Sequence, residues 1–147
     1  MPGKLFGKAA ALRRKIVNAL PLTTLITVVA ICLYFYMGLR VGLARTKFNV
    51  PAPATTGDPT FERMNRVHMN TLESMPIFLP LLWLFASYHS DAIAAGLGLI
   101  WVVGRTIFMI GYTEAAGKRS AGFGIQALVN LILLIGTVVG AVQVLLT

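Results

Sequence analysis

Four long apolar stretches run through this chain of 147 residues, of which 56% are hydrophobic and only 12% charged. A bilayer core of about 30 Å takes about 20 apolar residues to cross as a helix, and the stretches read as spans over about residues 16–44, 60–88, 92–116 and 121–146. So apolar a composition excludes an ordinary soluble domain, and the length leaves room for one domain only. The expected fold is all-α, an integral membrane bundle of four transmembrane helices. A single domain over residues 1–147 is expected, with residues 1–15 as a basic extension. An even number of spans puts both termini on one side.

The start of the chain has the basic and apolar order of a signal peptide. Its apolar run from Ile16 is longer than the roughly 7 to 15 residues of such a peptide's core and lacks a small-residue cleavage site, so the segment is expected to be retained. Lys4, Lys8, Arg13, Arg14 and Lys15 suit anionic lipid headgroups. The net charge of +8 does not point to nucleic acid, because the basic residues divide among this group, two loops and intramembrane positions. One cysteine, Cys32, leaves neither an internal disulfide nor a cysteine metal site, and no metal is expected. A phosphate-binding glycine loop, an HExxH motif and the internal duplication of secondary transporters are all missing from the sequence.

Between the first two spans, NVPAPATTGDP (Asn49–Pro59) carries three prolines and a glycine and reads as a loop. Asp58 and Pro59 form an N-cap and first-turn pair, so Phe61, Glu62 and Arg63 should already be helical. Pro76 is expected to bend that helix. Tyr88–Asp91 is a short turn, and Glu114–Ser120 a loop. On the fourth span Gln126, Asn130 and Gln143 suit hydrogen bonds between helices.

The second span opens on a polar stripe: Arg63, Arg66, Asn70 and Glu73 follow at intervals of three, four and three, on one side of a helix. A charge near the bilayer core costs roughly 2.5 to 3.5 kcal/mol, so Glu73, followed by uncharged Ser74–Ser90, needs a partner, and the arginines are the candidates. In the third span Arg105, Phe108, Tyr112 and Arg119 project within about 60° of one another if the helix holds as far as Arg119, with Glu114 pointing away. Two such stripes would build a cavity rich in guanidinium groups with one carboxylate. It would suit a small, polyanionic, partly peptidic ligand, because Arg binds carboxylates bidentately. A structural alternative stays open, in which Arg66 or Arg105 neutralises Glu73 with no ligand at all. His68 projects off this face, as a headgroup or intersubunit contact would, while Phe108, Tyr112, Cys32 and the methionines read first as packing.

The stretch FERMNRVHMNTLESMPIFLPLLW (Phe61–Trp83) contains R-x-x-x-N-x-x-E-x-x-P as Arg66, Asn70, Glu73 and Pro76. RTIFMIGYTEAAGKR contains R-x6-Y-x6-R as Arg105, Tyr112 and Arg119. Both resemble signatures of the membrane-associated proteins in eicosanoid and glutathione metabolism, the MAPEG family, and the loop PAPATTGDPTFER is similar to that of its leukotriene C4 synthase. The resemblance covers all four spans. It implies a homotrimer that binds glutathione as co-substrate between neighbouring subunits, with a lipophilic electrophile or lipid hydroperoxide arriving from the membrane lipid. Carried over by position, Arg45, Arg66, His68, Asn70, Glu73 and Tyr112 would bind glutathione, and Arg119 would be catalytic by stabilising the thiolate. Arg63, Arg105 and Phe108 would support them.

The activity so implied is that of a microsomal glutathione transferase in detoxification, with glutathione-dependent lipid peroxidase activity beside it. Ser74 and Phe108 stand where the leukotriene synthase has tyrosines, which speaks against leukotriene synthesis. Since the family contains a member that only binds lipid, a non-enzymatic lipid-binding or scaffold protein is the alternative, and a small transporter subunit a third reading. The expected location is a bacterial inner membrane, with the site facing the cytoplasm.

Overall fold

The computed structural model describes residues 20–147, so the N-terminal basic group and the proposed start of the first span at residue 16 lie outside the described residues. Four long helices follow one another: α1 (Pro21–Lys47), α2 (Pro59–Tyr88), α3 (Asp91–Glu114) and α4 (Ser120–Leu145), with one 3-10 turn, Ala116–Arg119, before α4. No strand occurs among the described residues. All four helices are long and apolar enough to cross a membrane, and the chain is a multi-pass integral membrane protein.

Local chemistry explains where the helices start. Asp58 accepts hydrogen bonds from the backbone N–H of Thr60 at 2.7 Å and of Phe61 at 3.3 Å, and Pro59 sits where a missing N–H is harmless. Glu62 reaches back to the N–H of Gly57 at 2.8 Å. The first turn of α1 is capped from a distance: the Asp91 carboxylate accepts from Leu22 N–H at 2.9 Å and Thr23 N–H at 2.8 Å, which ties the start of α1 to the start of α3. α2 continues through Pro76 and also through Pro80.

α1 packs on α2 and α3, and so does α4, so the α2–α3 hairpin lies between the outer two helices. Phe78 and Trp101, both fully buried, stack at the centre with ring centroids 3.9 Å apart. Around them lie Leu82, Ala94 and Leu133, all without exposed surface. Apolar side chains such as Leu25, Phe35, Leu43 and Ile110 face outward, as a lipid-embedded surface requires. α3 and α4 approach closely at Gly122, where a Cβ would lie 2.6 Å from both Gly104 O and Phe108 Cα. That approach sets the start of α4 against the end of α3.

Candidate functional site

The polar ends of α2, α3 and α4 meet at one cavity of about 480 Å³. Arg66, Asn70 and Glu73 come from α2, Phe108 and Tyr112 from α3, and Arg119 from the turn before α4. Three residues of each stripe therefore share a cavity that Arg63 and Arg105 do not line, and Arg119 reaches it by a route other than the one spacing suggests. α3 stops at Glu114, because Ala115 adopts an extended backbone (φ −154°, ψ 137°), and the 3-10 turn then swings Arg119 back. Its guanidinium lies 5.6 Å from the centroid of the Tyr112 ring, which in turn is 5.5 Å from that of Phe108. Gly111 permits the return, since a Cβ there would run into the Lys118 carbonyl group. Glu114 does point away, and pairs with Lys118 on the surface.

The charge pairing differs from the expected one. Arg105 does not meet Glu73: its Nη1 donates to Asn70 Oδ1 at 3.0 Å, its Nη2 donates to Ser74 Oγ, and its guanidinium lies over the rings of Trp101 and Phe108 at 5.3 and 4.8 Å. It is 1% exposed. Asn70 passes the orientation on, because with its oxygen engaged its Nδ2 turns to Glu73 Oε2 at 3.5 Å. Among the described residues Glu73 has no ion-pair partner, and like Arg66 it is exposed on the surface of the chain.

Three further candidates are placed elsewhere. Arg63 braces α2 to the end of α3, donating from Nε to Thr113 O at 2.9 Å and from Nη2 to Thr60 Oγ1 at 3.3 Å. It lines an adjoining cavity of about 510 Å³, which shares Arg66 and Tyr112 with the first and is closed by Thr55 and Thr56 of the α1–α2 loop. Arg45 holds that loop, donating from Nη1 to Ala54 O at 2.7 Å above the Phe61 ring. His68 stacks on Tyr34 of α1 with centroids 4.5 Å apart. Neither Arg45 nor His68 lines the cavity that holds Arg66, Asn70, Glu73 and Tyr112.

Ser120, Phe123 and Gly124 also line this cavity and were not among the expected residues. The signal for Phe123 was present, four positions beyond Arg119 and so one turn along the same face of α4. Two guanidinium groups, one carboxylate, an amide and a phenol thus converge where α2 and α4 enter the membrane. The set can hold a small zwitterionic polyanion, with an acid group at Arg66 and an ammonium at Glu73, and leaves Arg119 to face a further anionic atom.

The sequence profile of the MAPEG family matches residues 23–139. An uncharacterized protein of Synechocystis sp. is 49% identical over 112 residues, covering 76% of this chain and 82% of its own length. Human microsomal glutathione S-transferase 2 is 41% identical over 111 residues, 73% of this chain and 76% of that protein. Bovine leukotriene C4 synthase is 36% identical over 96 residues, 65% of this chain and 64% of that protein. With its matched region spanning all four helices, the chain belongs to the MAPEG family.

Proposed function

We propose that the chain is a membrane-bound glutathione transferase that conjugates glutathione to small lipophilic electrophiles and also reduces lipid hydroperoxides. The observation that carries this reading is the cavity in which Arg66, Asn70, Glu73, Tyr112 and Arg119 converge. The name of the human relative, microsomal glutathione S-transferase 2, agrees with the transferase part of it. In this reading Arg66 holds a glutathione carboxylate, Glu73 accepts from its ammonium, and Arg119 lies against the sulfur. A guanidinium within about 4 to 6 Å lowers the pKa of a neighbouring acid by roughly one to three units. The thiol would then ionise at neutral pH, and the thiolate is the nucleophile.

The working unit is a homotrimer. Arg66 and Glu73 are exposed on a single subunit at the start of a span, where charges facing lipid are costly, so a neighbouring copy should cover them. Arg45 and His68, outside the cavity of their own subunit, would then serve the cavity next door. The chain is one domain over residues 1–147, in a bacterial inner membrane with the site toward cytoplasmic glutathione. Purified protein mixed with glutathione and 1-chloro-2,4-dinitrobenzene should release chloride as the aryl thioether forms. With cumene hydroperoxide, two glutathione molecules should give the disulfide, the alcohol and water. A folded trimer that accelerates neither reaction refutes the enzyme and leaves the lipid-binding alternative.

A further inference from the structure

A third cavity of about 270 Å³ continues from the candidate site into the membrane-spanning part of the bundle, sharing Asn70, Glu73 and Phe123 with it. Its wall is mixed. Ile77 and Ala127 are apolar, whereas Ser74, Arg105, Gln126 and Asn130 carry hydrogen-bonding groups. On α4, Gln126, Ala127 and Asn130 lie three, four and seven positions beyond Phe123, so one stripe of the helix faces the cavity.

Ser74 and Gln126 have partners within the protein, and Arg105 is held at both terminal nitrogens while its Nε is buried unpaired. Ser74 Oγ accepts from Arg105, and Gln126 Nε2 donates to Gly122 O at 2.9 Å. Asn130 differs: its Oδ1 is buried with no hydrogen-bond partner. An unsatisfied buried polar group costs about 1 to 3 kcal/mol, which a leucine would avoid in a helix whose adjacent positions are Val129 and Leu131. A half-turn of the carboxamide exchanges its two ends, so the residue can present the cavity with a donor or an acceptor.

We propose that Asn130 is a specificity-determining residue for the second substrate, and that this substrate is an amphiphilic electrophile whose hydroxyl or carbonyl oxygen, distant from the reacting carbon, hydrogen-bonds to the Asn130 carboxamide. The assignment rests on the transferase reading above. Seven residues of helix from Phe123 to Asn130 advance about 10 Å. An electrophilic carbon near Phe123, at the mouth shared with the candidate site, therefore has its polar oxygen several bonds further along the chain. For an α,β-unsaturated aldehyde the step is a conjugate addition. The thiolate forms a bond to the β-carbon, the double-bond pair moves to the α-carbon, and that carbon takes up one proton, replacing the one lost by the thiol. No oxidant or reductant is needed.

Two probes test this on the detergent-purified full chain: non-2-enal and 9-hydroxynon-2-enal, which have the same reactive carbons and differ only at the far end. The ratio of kcat/KM for the hydroxylated over the plain aldehyde is expected to fall about tenfold in Asn130→Leu. In Asn130→Ser, which keeps the helix polar there, it should fall roughly threefold, the loss of part of one hydrogen bond. A general loss of fold or activity affects both aldehydes and leaves the ratio unmoved. If wild type conjugates both and neither variant moves the ratio, this assignment is wrong and the transferase reading survives, with Asn130 assigned to contacts between subunits. If the folded wild type conjugates neither aldehyde nor the aryl halide, the transferase reading falls, and this assignment falls with it.

Discussion

Arg105 donates to Asn70 Oδ1 at 3.0 Å, and no carboxylate lies within ion-pair distance of this buried guanidinium among the described residues. A cation inside a membrane bundle is thus held by an amide, a hydroxyl and two aromatic faces. It orients the α2 stripe, because Asn70, with its oxygen engaged, can turn only its N–H groups toward Glu73 and the cavity.

The two ends of that bond should respond unequally to mutation. Asn70→Ala removes an acceptor from a buried charge and is expected to lower stability by about 1.5 to 3 kcal/mol, the range for hydrogen bonds to charged groups. Adding Arg105→Met to it should recover much of that loss, since an apolar side chain of similar length needs no partner. Thermal unfolding in detergent of both single variants and the double gives the coupling. Strictly additive effects would show that the bond carries no orienting energy.

That pairing also shows what the sequence could and could not reveal. The spans, the loop between the first two helices and the Asp58–Pro59 start of α2 were legible, because hydropathy, proline and capping chemistry are local. The shared position of Arg66, Asn70 and Glu73 was legible from helical periodicity. A loop over Glu114–Ser120 was legible too, but the return of its 3-10 turn that carries Arg119 back to Tyr112 was not, because it depends on the close approach of Lys118 to Gly111. The partner of Arg105 was also hidden, since pairing charge with charge ignored the amide and hydroxyl that α2 presents to α3. Arg45 and His68 were named as site residues through the family resemblance alone, and in the structure they contact the α1–α2 loop and Tyr34 of α1.

Gly122 should be the glycine least tolerant of a methyl group. In Gly122→Ala the new Cβ meets the backbone of Gly104 and Phe108, which cannot rotate away, so α3 and α4 must part. A loss of about 1 to 3 kcal/mol is expected, as for overpacked cores, together with weaker glutathione binding, because Arg119 and Phe123 move with α4. Gly96→Ala is the control: no atom lies within 4 Å of its Cβ, and a gain of about 0.5 to 1 kcal/mol from helix propensity is expected. Equal thermal shifts for the two variants would contradict the packing argument.

Glu73→Gln reports on subunit closure. On an open surface, loss of its pairing with the ligand ammonium would cost no more than about 1 kcal/mol of glutathione affinity. Under a neighbouring copy the same loss should be about 2 to 5 kcal/mol. The trimer requires the larger value, measured by titration of the folded assembly, with crosslinking giving three copies. A small effect in an intact trimer would take Glu73 out of the binding site.

Arg119 is the residue on which the chemistry turns. Its place beside Tyr112, at the start of α4 and away from the bracing contacts of Arg63 and Arg45, leaves its guanidinium free of any protein carboxylate among the described residues. In Arg119→Ala, glutathione should still bind through Arg66 and Glu73, but its thiol pKa should rise toward the unperturbed value near 8.5. The sign follows from the charge: a cation favours the thiolate, so removing it leaves more of the thiol protonated at pH 7. Conjugation at that pH should slow by about 10- to 1,000-fold, the equivalent of one to three pKa units. Raising the pH through 8.5 should restore part of the rate, and the ultraviolet absorbance of the bound thiolate should follow the same curve. A variant that keeps both its rate and its thiolate absorbance at pH 7 would assign activation to Tyr112 and leave Arg119 as a residue of the turn.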